Sequence, residues 1–173
     1  MQVEDLVLYQ IAAVASLASA EGVSLQHVKP HGALYNMAAR DRRLADAIAR
    51  AIASFNRSLI LVGLQDSELL AAGRSAGLVV AAEAFSDRAY EPDGSLASRM
   101  TRGAVLHDAD LVVARAVRMV REHSVDTIAG SPIAIHADTL CIHGDTPGAP
   151  DLAANIRKGL EAAGVAVQAL RAA

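Results

Sequence analysis

Five stretches of the chain carry apolar residues at the three- to four-residue spacing of an amphipathic helix. They are residues 5–20, 41–55, 66–75, 108–122 and 150–163. Asp41 stands where the second helix needs an N-cap, and Asp66 or Ser67 stands where the third one does. These side chains satisfy backbone N–H groups at a helix start, so the pattern predicts five helices with definite beginnings.

Short apolar runs separate these helices and predict strands. They are LQHVKP (25–30), SLILVGL (58–64), GLVVAAEAF (77–85), DTLCIHGD (138–145) and VAVQAL (165–170). Near-continuous apolar runs such as the second and third indicate strands buried on both faces. A Gly-Ser-Pro turn between two further apolar runs predicts a small hairpin over residues 125–137.

The alternation of strands and helices predicts a parallel α/β architecture with right-handed crossovers. Five strands of the main sheet and one hairpin fit the pattern. A doubly wound sheet and a (β/α) barrel are both consistent with this order. The chain opens on a helix where an α/β unit normally presents a strand, so we expect an element ahead of Met1.

Composition narrows the class of protein. A length of 173 residues with 53% hydrophobic and 20% charged residues predicts a single folded domain spanning residues 1–173. The net charge of −3 comes with no basic tract, which argues against nucleic acid and anionic membrane partners. The first apolar stretch is interrupted at Tyr9, Gln10 and Ser16, and Cys141 is the single cysteine. We therefore expect a cytoplasmic protein without disulfides.

Polar residues follow the predicted strands, and in parallel α/β folds functional sites gather at those strand ends. The residues are Lys29, His31 and Asn36; Gly63, Gln65, Asp66 and Ser67; Glu83, Asp87 and Arg88; and His143 and Asp145. Because side chains alternate along a strand, pairing that continued to residue 31 would place Lys29 and His31 on one face. Cys141 and His143 would share a face in the same way. We expect His31 and His143 to converge.

Several of these residues also have a purely structural interpretation. His27 fits a half-buried strand position, and Cys141 fits a small core residue, since no Cys-His motif surrounds it. Asp138 and Asp145 are suited to capping or turning the chain. Lys29 next to His31 is harder to explain structurally, because a lysine is costly to bury without a partner.

Phosphate-binding glycine motifs are absent from the sequence. The segment HGDTPGAP places Gly144, Thr146 and Gly148 just before the last helix, where backbone amides bind anions. Any turn from a strand into a helix would look similar, so this indication is weak.

Longer motifs make the chain recognisable. YQ (9–10), HVKPHGALYN (27–36), DRAYEPDGSLASR (87–99), GAV (103–105) and ADTLCIHGDTPGA (137–149) together resemble the LamB/YcsF family, which is the family of the 5-oxoprolinase A subunit and of lactam utilisation proteins. The resemblance runs from about residue 6 to the end of the chain. It implies an incomplete (β/α) barrel of the glycoside hydrolase/deacetylase-like type, with its N-terminal strands missing.

The resemblance implies ATP-dependent opening of 5-oxo-L-proline to L-glutamate, with ATP and Mg²⁺ and with two other 5-oxoprolinase subunits. A lactam is a poor electrophile, so a cation, an acid or base and a carboxylate are needed around its carbonyl. On the family motifs these roles fall to Lys29 as cation, His31 and His143 as acid or base, and Asp145 or Asp87 as carboxylate, with Arg88 or Arg99 anchoring the substrate carboxylate. Asn36, Gly144 and Thr146 are further candidates for substrate or nucleotide contacts.

The resemblance also has a departure. Family members carry an N-terminal segment with a DxNxDxGE motif and further histidine motifs, and these motifs do not occur here. We expect the missing strands to leave unpaired edges that favour self-association. Two alternatives stay open: a non-catalytic remnant or scaffold subunit, and a metal-dependent amidase or deacetylase with His31, His143 and Asp145 as ligands.

Overall fold

The structure is a computed structural model, which describes residues 2–144 and 148–171. The chain divides into two compact units, and β3 passes from one to the other between Ala82 and Glu83. The first unit holds residues 2–82 with Leu170 and Arg171, and the second unit holds residues 83–169. The single domain expected over residues 1–173 stays a prediction.

The first unit contains four helices and the first part of the main sheet. In chain order the elements are α1 (Gln2–Ala20), β1 (His27–Val28), α2 (Ala33–Ala38), α3 (Arg42–Phe55), β2 (Ile60–Leu64), α4 (Glu68–Ser75) and the start of β3 (Val80–Phe85). β1 pairs in parallel with β2, with His27 opposite Ile60, and β2 lies between β1 and β3. The second and third predicted strands are thus adjacent, as a parallel α/β order requires.

The core of the first unit forms where α3 packs against α1 and α4. Leu61 of β2 enters this core, whereas Ile60 and Val62 point to the opposite face and pack with Ala81 and Leu170. Both faces of β2 are therefore covered, which explains its uninterrupted apolar sequence.

The second unit contains the end of β3 and the remaining elements, which are α5 (Ala109–Arg121), β4 (Ser124–Asp126), β5 (Pro132–Ala134), β6 (Thr139–Cys141) and α6 (Ala149–Ala162). β3 pairs in parallel with β6, with Glu83 opposite Thr139 and Phe85 opposite Cys141. β4 and β5 form the predicted antiparallel hairpin. α5 and α6 pack together through Val112, Ala116, Ile156 and Leu160.

The parallel α/β class is confirmed, as are the five predicted helices and the hairpin. The strand predicted at residues 165–170 is wrong, because that segment has no regular structure: Leu170 packs on the sheet and its carbonyl accepts a hydrogen bond from Gln26 Nε2. In the described residues the main sheet therefore has four strands rather than five. The short helix α2 was not predicted.

Within the described ranges, α1 is the one helix whose length and composition would let it cross a membrane. This differs from the expectation that its polar interruptions disqualify it. The indication is weak, since the core helices of soluble proteins and N-terminal signal sequences meet the same criterion. Ile11 of α1 lies in the core of the first unit, and Glu4 forms an ion pair with Arg50 of α3. One side of α1 is thus committed to packing within the protein.

The N-cap of α3 gives a direct test of this unit's local stability. The Asp41 carboxylate accepts hydrogen bonds from the backbone N–H groups of Arg43 at 2.9 Å and Leu44 at 3.3 Å. We expect Asp41→Ala to lower the free energy of unfolding by about 1 kcal/mol, because two helix-terminal donors lose their acceptor. Urea unfolding followed by circular dichroism measures this change.

Asp46→Ala on the same helix is the matched control. Asp46 forms an exposed ion pair with Arg42 four residues earlier, and such pairs contribute about 0.5 kcal/mol or less. Equal losses in the two variants would show that the Asp41 cap does not stabilise α3 specifically.

Candidate active site

The strongest cluster of chemically capable side chains lies in the second unit, just beyond the paired ends of β3 and β6. Phe85 and Cys141 are partners in the strand register, and Asp87 and His143 each follow two residues later. Their side chains meet: His143 Nδ1 lies 2.7 Å from Asp87 Oδ2. The His143 backbone N–H donates to the same oxygen at 3.4 Å. Parallel pairing thus converts two separate sequence motifs into one carboxylate–histidine dyad.

The dyad fixes how the imidazole is used. An ionised carboxylate only accepts hydrogen bonds, so Nδ1 of a neutral His143 carries the proton and Nε2 carries the lone pair. The Phe85 ring stacks on the imidazole, with centroids 5.9 Å apart and 26° between the planes. His143 is therefore held in one tautomer and one orientation, as a general base requires.

The carboxylate of this dyad is nearly removed from water. The Asp87 side chain is 5% exposed, against 20% for His143. Asp87 Oδ1 and the neighbouring Ser86 Oγ are buried without a hydrogen-bond partner in the described structure. A buried carboxylate with one bare oxygen is costly unless nearby positive charge compensates it.

Arg88 supplies part of that positive charge and has a structural role, while its part as an anchor of the substrate carboxylate stays a prediction. Its guanidinium is buried and donates to two backbone carbonyls, those of Ala97 at 2.7 Å and Ala104 at 3.3 Å. Burial lowers the pKa of Arg88, and the nearby Arg99 cation lowers it further. Arg88 therefore holds the loop between Asp87 and Val105 together, and its guanidinium is not exposed to solvent.

Arg99 is the predicted anchor that remains accessible. It lies on the exposed part of the same loop, between the buried residues Ala97 and Ala104 that Arg88 holds. Its positive charge lowers the pKa of Arg88, the residue that follows Asp87. Of the two arginines, Arg99 is thus the one with a guanidinium available to a ligand.

Tyr90 and Arg115 also support the dyad, although the sequence did not single them out. The buried Tyr90 hydroxyl accepts a hydrogen bond from the Phe85 N–H at 2.8 Å, and burial raises the pKa of Tyr90. Arg115 of α5 donates to the carbonyls of Ser86 and Arg88. Arg115 shares the inward side of α5 with fully buried apolar residues, and a charged residue at such a position is the signal that could have revealed it.

Lys29, His31 and Asn36 lie in the first unit. β1 ends at Val28, so strand pairing does not continue to residue 31 and the shared-face argument for Lys29 and His31 does not apply. Lys29 Nζ lies 5.6 Å from the centre of the Tyr35 ring, a cation–π distance. His31 is exposed, and Asn36 Nδ2 donates to the Gly32 carbonyl at 3.1 Å within α2. Convergence of His31 with His143 stays a prediction.

The remaining predicted residues follow β6. Gly144 is exposed, whereas Asp145 and Thr146 lie outside the described residues. Gly148 occupies the N-cap of α6 with a left-handed backbone, φ 80°, which glycine adopts without strain. Across the described ranges, no group of three or more His, Cys, Asp or Glu side chains is placed to hold a metal ion, so no metal is assigned.

Known proteins resemble this chain over its whole length. The LamB/YcsF family model matches residues 1–173. The A subunit of 5-oxoprolinase from Chloroflexus aggregans is 54% identical over 170 residues, covering 98% of this chain and 68% of the relative. The corresponding protein of Bacillus licheniformis is 52% identical over 165 residues, covering 95% of this chain and 65% of the relative.

A solved structure has the same fold. The crystal structure of the lactam utilization protein from Thermus thermophilus superimposes with a TM-score of 0.90 at 47% identity, covering 97% of this chain and 67% of that one. The chain therefore spans about two thirds of the length of the proteins it matches.

The assignment of Arg88 as a loop organiser can be tested by limited proteolysis. Arg88→Met removes the donors to Ala97 and Ala104, each such bond contributing about 1 kcal/mol, so the loop should open more often. We expect trypsin to cut after Arg99 and Arg102 several times faster, as mass spectrometry of the fragments would show.

Arg43→Met is the control, because Arg43 is exposed and lies on α3 far along the chain from this loop. Cleavage after Arg157 monitors general unfolding in both variants. Unchanged cleavage after Arg99 and Arg102 in Arg88→Met would contradict the assignment.

Proposed function

The chain belongs to the LamB/YcsF family, and we propose that it is the A-type subunit of a 5-oxoprolinase, a hydrolase that opens a cyclic amide. The observation that carries the proposal is the Asp87–His143 dyad, which joins two of the motifs that resemble the family. The proposal is further supported by relatives of 54% and 52% sequence identity, which are named as the A subunit of 5-oxoprolinase.

The dyad supplies the proton transfers that lactam opening needs. His143 Nε2 takes a proton from water while the water oxygen bonds to the lactam carbonyl carbon. The C–N bond then breaks, and the ring nitrogen receives a proton to leave as the amine of glutamate. Asp87 stabilises the imidazolium that forms between these steps, as a buried carboxylate does in acyl-transfer enzymes.

Dependence on ATP is part of the proposal and follows from the stability of an unstrained amide. Transfer of the ATP γ-phosphoryl group to the carbonyl oxygen would release ADP and make the carbon electrophilic, so that water adds and the C–N bond breaks to leave an acyl phosphate. A second water then hydrolyses this acyl phosphate to glutamate and inorganic phosphate. Mg²⁺ keeps several water ligands when carboxylates bind it, so it prefers carboxylates that are open to water. Asp87 is buried and one of its oxygens contacts His143, so it does not fit that preference. We therefore derive no step through Mg²⁺ at Asp87.

Substrate orientation is assigned to Arg99. The substrate is itself a carboxylate, and an accessible guanidinium binds a carboxylate through two parallel hydrogen bonds. The exposed Arg99 has that freedom, whereas the Arg88 guanidinium is buried and donates two hydrogen bonds to loop carbonyls. Lys29 is proposed as the cation for the developing oxyanion and His31 as a second acid or base.

Further subunits and location belong to the same proposal. The relatives are named as one lettered subunit of an enzyme, which implies a complex with other subunits, and we propose two partners. A soluble, cytoplasmic enzyme suits that assembly. The scaffold alternative predicts an intact complex in which dyad substitutions leave turnover unchanged.

His143→Gln tests the catalytic role. With ATP and the partner subunits present, we expect glutamate release from 5-oxoproline to fall by about 10²–10⁴-fold in kcat, because a positioned acid–base group is removed. Asp87→Asn should also impair turnover, since an amide no longer holds the imidazole in one tautomer. Glutamate production by chromatography measures both effects.

His107→Gln is the matched control, because His107 is exposed and precedes α5 rather than following β6. We expect it to match the parent chain. Full turnover in His143→Gln, with the complex assembled, would remove the dyad from the mechanism. Absence of any glutamate release by the assembled parent complex would contradict the proposed activity.

We also propose self-association. α1 exposes several large apolar side chains while its other side packs on α3, and a cluster of exposed apolar side chains favours burial against a partner. The exposed residues are Leu6, Tyr9, Val14 and Leu17. We expect the mass measured by light scattering to exceed that of one chain and to fall towards it in Leu17→Gln. Ser19→Gln, on the same helix, should leave the mass unchanged; a stable monomer of the parent chain would refute the proposal.

A further inference from the structure

The backbone on both sides of Asp87 is held by one side chain. Arg115 Nε donates to the Ser86 carbonyl at 3.2 Å, and its NH2 group donates to the Arg88 carbonyl at 3.0 Å. A third bond, from NH1 to the Asp126 carbonyl at 3.4 Å, ties the same guanidinium to β4. The planar guanidinium thus binds the carbonyls of the two residues that flank Asp87 in the chain.

Stability alone does not explain this arrangement. Within the described structure the hydrogen bonds of the Arg115 guanidinium all go to backbone carbonyls, and no carboxylate lies within ion-pair distance of it. Burial lowers the pKa of Arg115, while Tyr90, Asp126 and Asp87 act in the opposite direction. Arg115 is half-buried, so the desolvation of its charge has a cost, and the buried neighbours Val112 and Met119 show that an apolar residue would suit this side of α5.

The positive charge of Arg115 compensates the negative charge of the Asp87 carboxylate. That carboxylate has one oxygen on His143 and one oxygen without a partner in the described structure. A guanidinium that binds the adjoining carbonyls brings positive charge close to the carboxylate without competing with His143 for its oxygens. Such an arrangement places positive charge beside the carboxylate and leaves its Oδ2 aimed at Nδ1.

We propose that Arg115 is a positioning residue for the Asp87–His143 dyad, which it serves by fixing the backbone carbonyls of Ser86 and Arg88, the residues on either side of Asp87. The inference rests on the proposed function for its effect on turnover, but its structural content concerns the dyad alone. Loss of these hydrogen bonds lets residues 86–88 shift, and a displacement of about 1 Å in a catalytic group costs on the order of 10²-fold in rate.

The test separates these two levels. In chain labelled with ¹⁵N-histidine, NMR reports the protonation of each ring nitrogen, and we expect His143 to show a proton on Nδ1 and none on Nε2. Arg115→Met should convert this signature into a mixture of tautomers and lower kcat by about 10²-fold with little change in KM. Arg115→Lys keeps the charge without the planar guanidinium and should restore part of both readouts.

Arg118→Met is the control, because Arg118 is on the same helix and binds exposed Asp126 and Glu122 carboxylates instead. If Arg115→Met fails to fold, Arg115→Lys carries the comparison. An unchanged His143 tautomer in Arg115→Lys and Arg115→Met would overturn the positioning role whatever the activity. A changed tautomer with unaffected glutamate release would instead uphold the positioning role and refute the part of the proposed function that assigns proton transfer to the dyad.

Discussion

The burial of the Asp87 carboxylate is the constraint on which the second unit depends. A negative charge out of water must be compensated, and the structure does so with the His143 ring at 2.7 Å and with the charges of two guanidinium groups, those of Arg88 and Arg115. Because His143 follows β6 and Asp87 follows β3, this bond also ties together the ends of two strands. The chemistry of the dyad and the order of the surrounding loop therefore have one physical cause.

The surrounding loop is shaped by buried polar side chains instead of an apolar core of its own. Arg88 and Tyr90 direct their polar ends to backbone groups at Ala97, Ala104 and Phe85, and the apolar residues beneath them are small alanines. An irregular segment has many backbone carbonyls and N–H groups without helix or sheet partners. The buried side chains of Arg88 and Tyr90 form hydrogen bonds with these backbone groups. They thereby hold in place the loop on which Arg99 lies.

The sequence predicted the regular elements where their signals are local. Asp41, Ser67 and Asp108 all cap the helices they precede, and the continuous apolar run of β2 is buried on both faces. Residues 165–170 misled because their apolar pattern suits a strand, whereas Leu170 is used to cover the sheet. Helix α2 was missed because six residues after a glycine give too little periodicity.

The candidate site was predictable in part, and the limit is physical. Alternation along strands and the rule that sites gather at strand ends were enough to select Asp87 and His143, but not to pair them, because pairing depends on which strands are neighbours. Arg88 was selected for its charge, yet its role is decided by burial. Arg115 was not selected, although it binds three backbone carbonyls through its planar guanidinium. The charge pattern of the sequence alone does not distinguish such an arginine from one that is exposed to solvent. Every residue has a backbone carbonyl, so the sequence does not show which carbonyls Arg115 binds. Only the fold shows that they flank Asp87.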